Sequence, residues 1–147
     1  MDCPWTLITN ADSLYSIEFN TPIFPEEGLM FAIEDCSCHE GPIQVPATGN
    51  VTFNSPNWPF HYCNDLSCRY EFIAPKDYII KLKIHSFSID EVKDALTLFD
   101  GAKIMDRLAG GGNVYAVPFA TTGNVLTALF ETDHEYTTRG FNATVFA

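Results

Sequence analysis

The chain has 147 residues, 46% of them hydrophobic and 14% aromatic, and its 19 Asp and Glu outnumber its 8 Lys and Arg for a formal charge of -11. That length suits one domain with room for a fragment of a second, and the apolar and aromatic content excludes a disordered tail. The negative field argues against nucleic acid or an anionic membrane surface as a partner, and no apolar run approaches the ~20 residues of a membrane span.

The N-terminus, Met1-Asp2-Cys3-Pro4-Trp5, shows neither the basic stretch nor the apolar stretch of a secretion leader. Five Cys in so short a chain nevertheless read as a disulfide framework, and two glycosylation sequons, Asn50-Val51-Thr52 and Asn142-Ala143-Thr144, point to the same compartment. These signs agree if the chain is a piece of a longer secreted protein, or one without its leader.

Strand patterns dominate. Cys3 to Asn10 echoes Cys68 to Pro75 as Cys-x-aromatic-x-apolar-Ile, and the echo continues through Ile17 and Phe19 against Leu82 and Ile84, then Gly28 to Phe31 against Ala95 to Leu98. Residues 1–35 thus read as part of a second module related to the first. Val51–Phe53 and Tyr70–Ile73 are strands by β-branched and aromatic content. Between them Ser55-Pro56-Asn57-Trp58-Pro59 is not a central strand, because two prolines remove ladder donors. From Ile79 to His85, Ile80, Leu82 and Ile84 share one face while Lys81, Lys83 and His85 take the other, the pattern of a half-buried antiparallel strand. Ala95–Phe99, Asn124–Glu131 with Leu126, Ala128 and Phe130 on one side, and Phe141–Phe146 follow. Turns fall at Ala74-Pro75-Lys76-Asp77, Asp100-Gly101, the glycines from Gly110 and Thr122-Gly123-Asn124. Short strands so regularly punctuated imply an all-β sandwich or jelly roll.

From Cys38 to Phe146 the ordered motifs resemble a CUB domain: Cys38, Gly49, Ser55-Pro56-Asn57-Trp58-Pro59 with Tyr62, Cys68-x-Tyr70-x-Phe72-Ile73-Ala74-Pro75, Asp94-x-Leu96-x-Leu98-x-Asp100-Gly101, Asn124-x-Leu126-x-x-Leu129-Phe130 and Gly140-Phe141-x-Ala143. The resemblance implies a jelly-roll β-sandwich of two five-stranded antiparallel sheets over 36–147. It also implies an extracellular, non-catalytic binding module. The family's first disulfide maps onto Cys38 and Cys68. The cysteines of its second bridge are missing before Asp94 and near Leu108 to Gly111. Cys36 and Cys63 are extra and offer a different bridge; the exchanged pairing, Cys36 with Cys68 and Cys38 with Cys63, stays open, and Cys3 has no evident mate.

Four constellations carry chemistry. The resemblance places a calcium site on Asp90, Asp94 and Asp133, with Glu91 as a longer-reaching substitute for Asp90; three carboxylates suit a hard cation that takes six to eight oxygens. Such a site would grip a basic side chain of a partner. Cys36, Cys38, His39, His61, Cys63 and Cys68 are dense enough to suggest zinc, but Cys-x-Cys is not the usual spacing and two disulfides explain the cysteines. His85 and His134 are candidate bases and Ser67, Ser86 and Ser88 candidate nucleophiles, yet no Gly-x-Ser-x-Gly elbow surrounds any of them. Trp58, Phe60 and Tyr62 form a recognition patch if all three are exposed, and hairpin packing otherwise. The reading is protein or glycan recognition through the loops at one end of the sandwich. The alternative is a calcium-independent structural or oligomerisation module, or an accessory domain beside a protease.

Overall fold

The computed structural model describes residues 5–9 and 15–19, as backbone, and residues 34–111, 115 and 117–147. The chain divides into two compact units, 1–33 and 34–147. In the first, strands β1 (Trp5–Thr9) and β2 (Tyr15–Phe19) pair antiparallel. Their sequence counterparts in the second unit, β5 (Ser67–Ile73) and β6 (Lys81–Ile89), lie in different sheets, so the repeated pattern is not accompanied by repeated pairing. Cys3 and the stretch from Gly28 to Phe31 lie outside the described residues.

The second unit is the expected all-β sandwich. One sheet runs β10 (Phe119–Ala120), β6, β12 (Gly140–Phe146), β4 (Val51–Asn54), with β9 (Gly110–Gly111) beside β6. The other runs β3 (Ile43–Gln44), β5, β11 (Val125–Glu131), β7 (Ala95–Asp100), β8 (Lys103–Leu108). All pairings are antiparallel except β3 with β5. Alternation decides which side chains enter the core: Leu126, Ala128 and Phe130 from β11 and Phe141, Ala143 and Val145 from β12 are at most 1% exposed.

Strand β6 continues four residues past the alternating run. Opposite β12, Ser86 faces Asn142 but Ile84 faces Ala143, so His85 is an extra residue in a bulge. The bulge resets the pleat, and Phe87 and Ile89 return to the core beside Leu82 and Ile84. The glycines expected to form a turn instead give β9, which pairs with Ser88 and Ile89. Gly111 lies beside Ser88, where a Cβ would meet Ser88 Oγ at 3.4 Å, an ordinary contact distance; Gly112 lies outside the described residues.

Two disulfides close one end of the sandwich. Cys36 joins Cys63 and Cys38 joins Cys68, with Cα separations of 5.7 and 5.2 Å. This excludes the exchanged pairing. Closing loops of 27 and 30 residues, each bridge contributes roughly 3–4 kcal/mol by restricting the unfolded chain.

Phe53 joins the two sheets. From β4 it meets Tyr70 and Phe72 of β5 edge-on at centroid distances of 4.8 and 5.0 Å, and Phe141 of β12 at 4.9 Å. Phe53→Ala removes all three ring contacts and leaves a cavity. It is expected to cost about 3–5 kcal/mol, read as a lower urea midpoint with an unchanged slope.

Candidate functional site

The disulfide-closed end collects three loops: residues 62–66, 90–94 and 132–138. Tyr62 enters the core after the cis bond between Trp58 and Pro59. It is 2% exposed, and its ring stands edge-on to Phe130 of β11 at 5.3 Å. A buried tyrosine hydroxyl needs partners, and this one has two. It donates to Asp94 Oδ2 at 2.6 Å and accepts from the Asp90 N–H at 2.9 Å. Asp90 follows β6 in one sheet and Asp94 precedes β7 in the other, so one hydroxyl ties the two sheets together.

Asp94 is completely buried. Its second oxygen, Oδ1, accepts from the Asp133 N–H at 2.8 Å, which brings in the end of β11. Further bonds lace the loop after Tyr62 to the same strand end. Asp65 N–H donates to the Asp133 carbonyl at 2.7 Å, and Thr132 Oγ1 accepts from the Leu66 N–H and donates to the Cys63 carbonyl.

Asp133 is half-buried. Its Oδ1 accepts from the Glu135 N–H at 2.9 Å, and Lys93 Nζ lies 3.5 Å from Oδ2 and 3.7 Å from Glu135 Oε2. The Glu135 N–H, with Lys93 behind it, holds the Asp133 carboxyl below the ordinary carboxylate range against the opposing effect of partial burial. Burial pushes the Tyr62 hydroxyl up to about 12, with the Asp90 N–H pulling it down and Asp94 adding to the rise; Tyr70 reaches about 12 by burial.

Asp90, Asp94 and Asp133 therefore share one end of the fold, although their carboxylates do not all lie within 4.8 Å of one another. Among the described residues the group that does is Glu34 with Cys36 and Cys63, whose sulfurs are bonded to each other. The donor set suits a hard dication in kind: every ligand atom is oxygen, and among the described residues no cationic side chain lies within 4.0 Å of the buried Asp94 carboxylate.

Other candidates separate. All four cysteines of the zinc alternative are in disulfides. His85 Nε2 bonds Thr144 Oγ1 at 2.8 Å and His134 lies 3.9 Å from Glu135; neither forms a hydrogen bond with Ser67, Ser86 or Ser88. Trp58 is half-buried, Phe60 is 48% exposed and Tyr62 is buried, so the three make no common surface. Sequence reading gave Tyr62 a packing role and missed its polar one. Its hydroxyl lies 32 residues from Asp94 in sequence, beyond any periodic signal. Asn50 is exposed in the turn before β4, whereas Asn142 is half-buried in the middle of a sheet.

A family model for the CUB domain matches residues 42–145, and the chain belongs to that family. CUB domains are typically extracellular protein-interaction modules. Cubilin of Rattus norvegicus is 34% identical over 106 residues, 65% of this chain and 3% of that protein. Tolloid-like protein 1 of Homo sapiens is 35% identical over 98 residues, 61% of this chain and 10% of that one. The chain thus spans a small part of the curated relatives it matches. Among solved structures, the MASP-1 CUB2 domain bound to Ca2+ is similar in fold, with a TM-score of 0.62 at 19% identity, covering 73% of this chain and 100% of that one. No helix among the described residues is long and apolar enough to cross a membrane.

Tyr62 and Tyr70 predict the alkaline stability limit. Both hydroxyls ionise later in the folded state than the ordinary value near 10. The stability this gives is fully present below pH ~10 and is lost as pH rises through about 12. Tyrosinate absorbance should show Tyr62 and Tyr70 ionising only with unfolding, a late fraction that Tyr62→Phe and Tyr70→Phe each reduce.

Proposed function

We propose that the chain is a non-catalytic, extracellular recognition module, with residues 36–147 as its working unit, and that it binds a basic side chain of a protein partner at the disulfide-closed end. The observation that carries this reading is the locked arrangement of Tyr62, Asp94 and Asp133. It fixes three loops before any partner arrives, with Glu91, Glu131 and Glu135 exposed around them. A preformed acidic surface avoids the ordering cost of binding and favours cationic groups.

Calcium is part of the proposal. Asp90, Asp94 and Asp133 would hold it, and the ion would supply positive charge next to a buried carboxylate. Asp94 is kept in place by Tyr62 and the Asp133 backbone, while Lys93 partly neutralises Asp133 from outside. The Ca2+-bound MASP-1 CUB2 domain of like fold supports this reading. Asn50, exposed in its turn, is the better placed of the two sequons to carry a glycan.

Thermal unfolding of the oxidised chain in about 2 mM calcium and then in chelator tests the proposal. With a dissociation constant of ~0.2 mM the ion adds about 1.4 kcal/mol, and the midpoint rises by roughly 3–5 °C. Asp133→Ala should abolish the rise, and a lysine-rich peptide should raise the midpoint further only while Asp133 is intact. No shift with either addition would leave the calcium-independent structural role as the reading.

A further inference from the structure

The strands of the β4, β6, β9, β10 and β12 sheet contain no Asp or Glu, in a chain that has 19 of them. Their formally charged residues are Lys81 and Lys83, and His85 follows at the same spacing. The other sheet carries Glu71, Asp100, Asp106 and Glu131 within its strands. On β6, Leu82 and Ile84 point into the core, which turns Lys81, Lys83 and His85 to the outer face. From Tyr78 to Ile89 the strand and its approach are free of acid.

The register builds this face in rows. Lys83 lies beside Thr144, and Thr144 beside Thr52. Ser86 lies beside Asn142, and Asn142 beside Asn54. Lys81 stands over the Phe146 ring at 6.0 Å, and His85 reaches Thr144. Asn54 Oδ1 is shielded and has no donor, so the row of Ser86, Asn142 and Asn54 is one hydrogen bond short.

We propose that this outer face docks an extended anionic polysaccharide, sulfated or uronate-bearing. Charge complementarity selects an anion: the cationic groups stand together, and at physiological salt a Debye length of ~8 Å screens them from acids elsewhere on the chain. Hydroxyls and amides between the lysines match a polyhydroxylated ligand, and Phe146 offers a ring to stack on. A protein partner would need a central anchor of several buried aromatic or Arg side chains, whereas these rows hold the single ring of Phe146 at the end of β12.

The test uses the full chain secreted from eukaryotic cells and applied to immobilised heparin at about 50 mM NaCl. The acidic chain should be retained, and raising the salt to about 200 mM should weaken binding roughly tenfold, as for release of about two counterions. The double variant Lys81→Glu with Lys83→Glu should pass through while keeping the parent circular dichroism spectrum. Lys103→Glu, exposed on the other sheet, should bind like the parent, and chelator should change nothing. Four results would overturn the proposal: no retention of the parent, an equal loss in Lys103→Glu, release by polyglutamate as readily as by soluble heparin, or full glycan occupancy at Asn142 by mass.

Discussion

A fully buried carboxylate organises the disulfide-closed end of this domain. Taking an ionised Asp out of water costs several kcal/mol unless its oxygens find donors. Asp94 meets that cost with the Tyr62 hydroxyl on one oxygen and the Asp133 N–H on the other. Those donors come from different parts of the chain, and the same hydroxyl accepts from Asp90. The ends of β6 and β11 and the start of β7 are thereby fixed against one another. An apolar side chain at this place would fill the space without specifying where the loops go. The disulfides act on the same region from outside, holding the segment after Tyr62 to residues 36–38.

Charge is distributed unevenly over this frame. Acidic side chains crowd the disulfide-closed end, while one whole sheet is free of them. With a net charge of -11 the molecule as a whole repels anions at long range. At contact, local composition decides, because screening limits each charge to its surroundings. An acidic end and an acid-free sheet face give one small domain two chemically distinct surfaces.

Much of this was legible in the sequence, and the losses have identifiable causes. Alternation located β7, β11 and β12, because each buries one face. It also found the start of β6 but stopped at His85, where the bulge breaks the period of two. Strand β8 escaped because Lys103–Leu108 is an edge strand, largely exposed, that leaves almost no apolar pattern. Strands β3, β9 and β10 have two residues each, too few for any periodic signal. The acidic residues at the disulfide-closed end were placed by family resemblance. The hydroxyl that holds them was not, because a tyrosine in a packing motif looks the same in sequence whether or not its oxygen is used. A buried Tyr always raises the question of its partner, and the paired Asp94 is the answer here.

The central claim is that Tyr62 and Asp94 act as one unit, and a double-mutant cycle tests it most directly. Tyr62→Phe, Asp94→Asn and the combined variant would be unfolded in urea beside the parent chain. Each single change should cost about 2–3 kcal/mol, since each leaves a buried polar group short of a partner. The double variant should cost less than the sum by at least ~1 kcal/mol. Strict additivity would contradict the account, and would mean that the two side chains stabilise the fold independently.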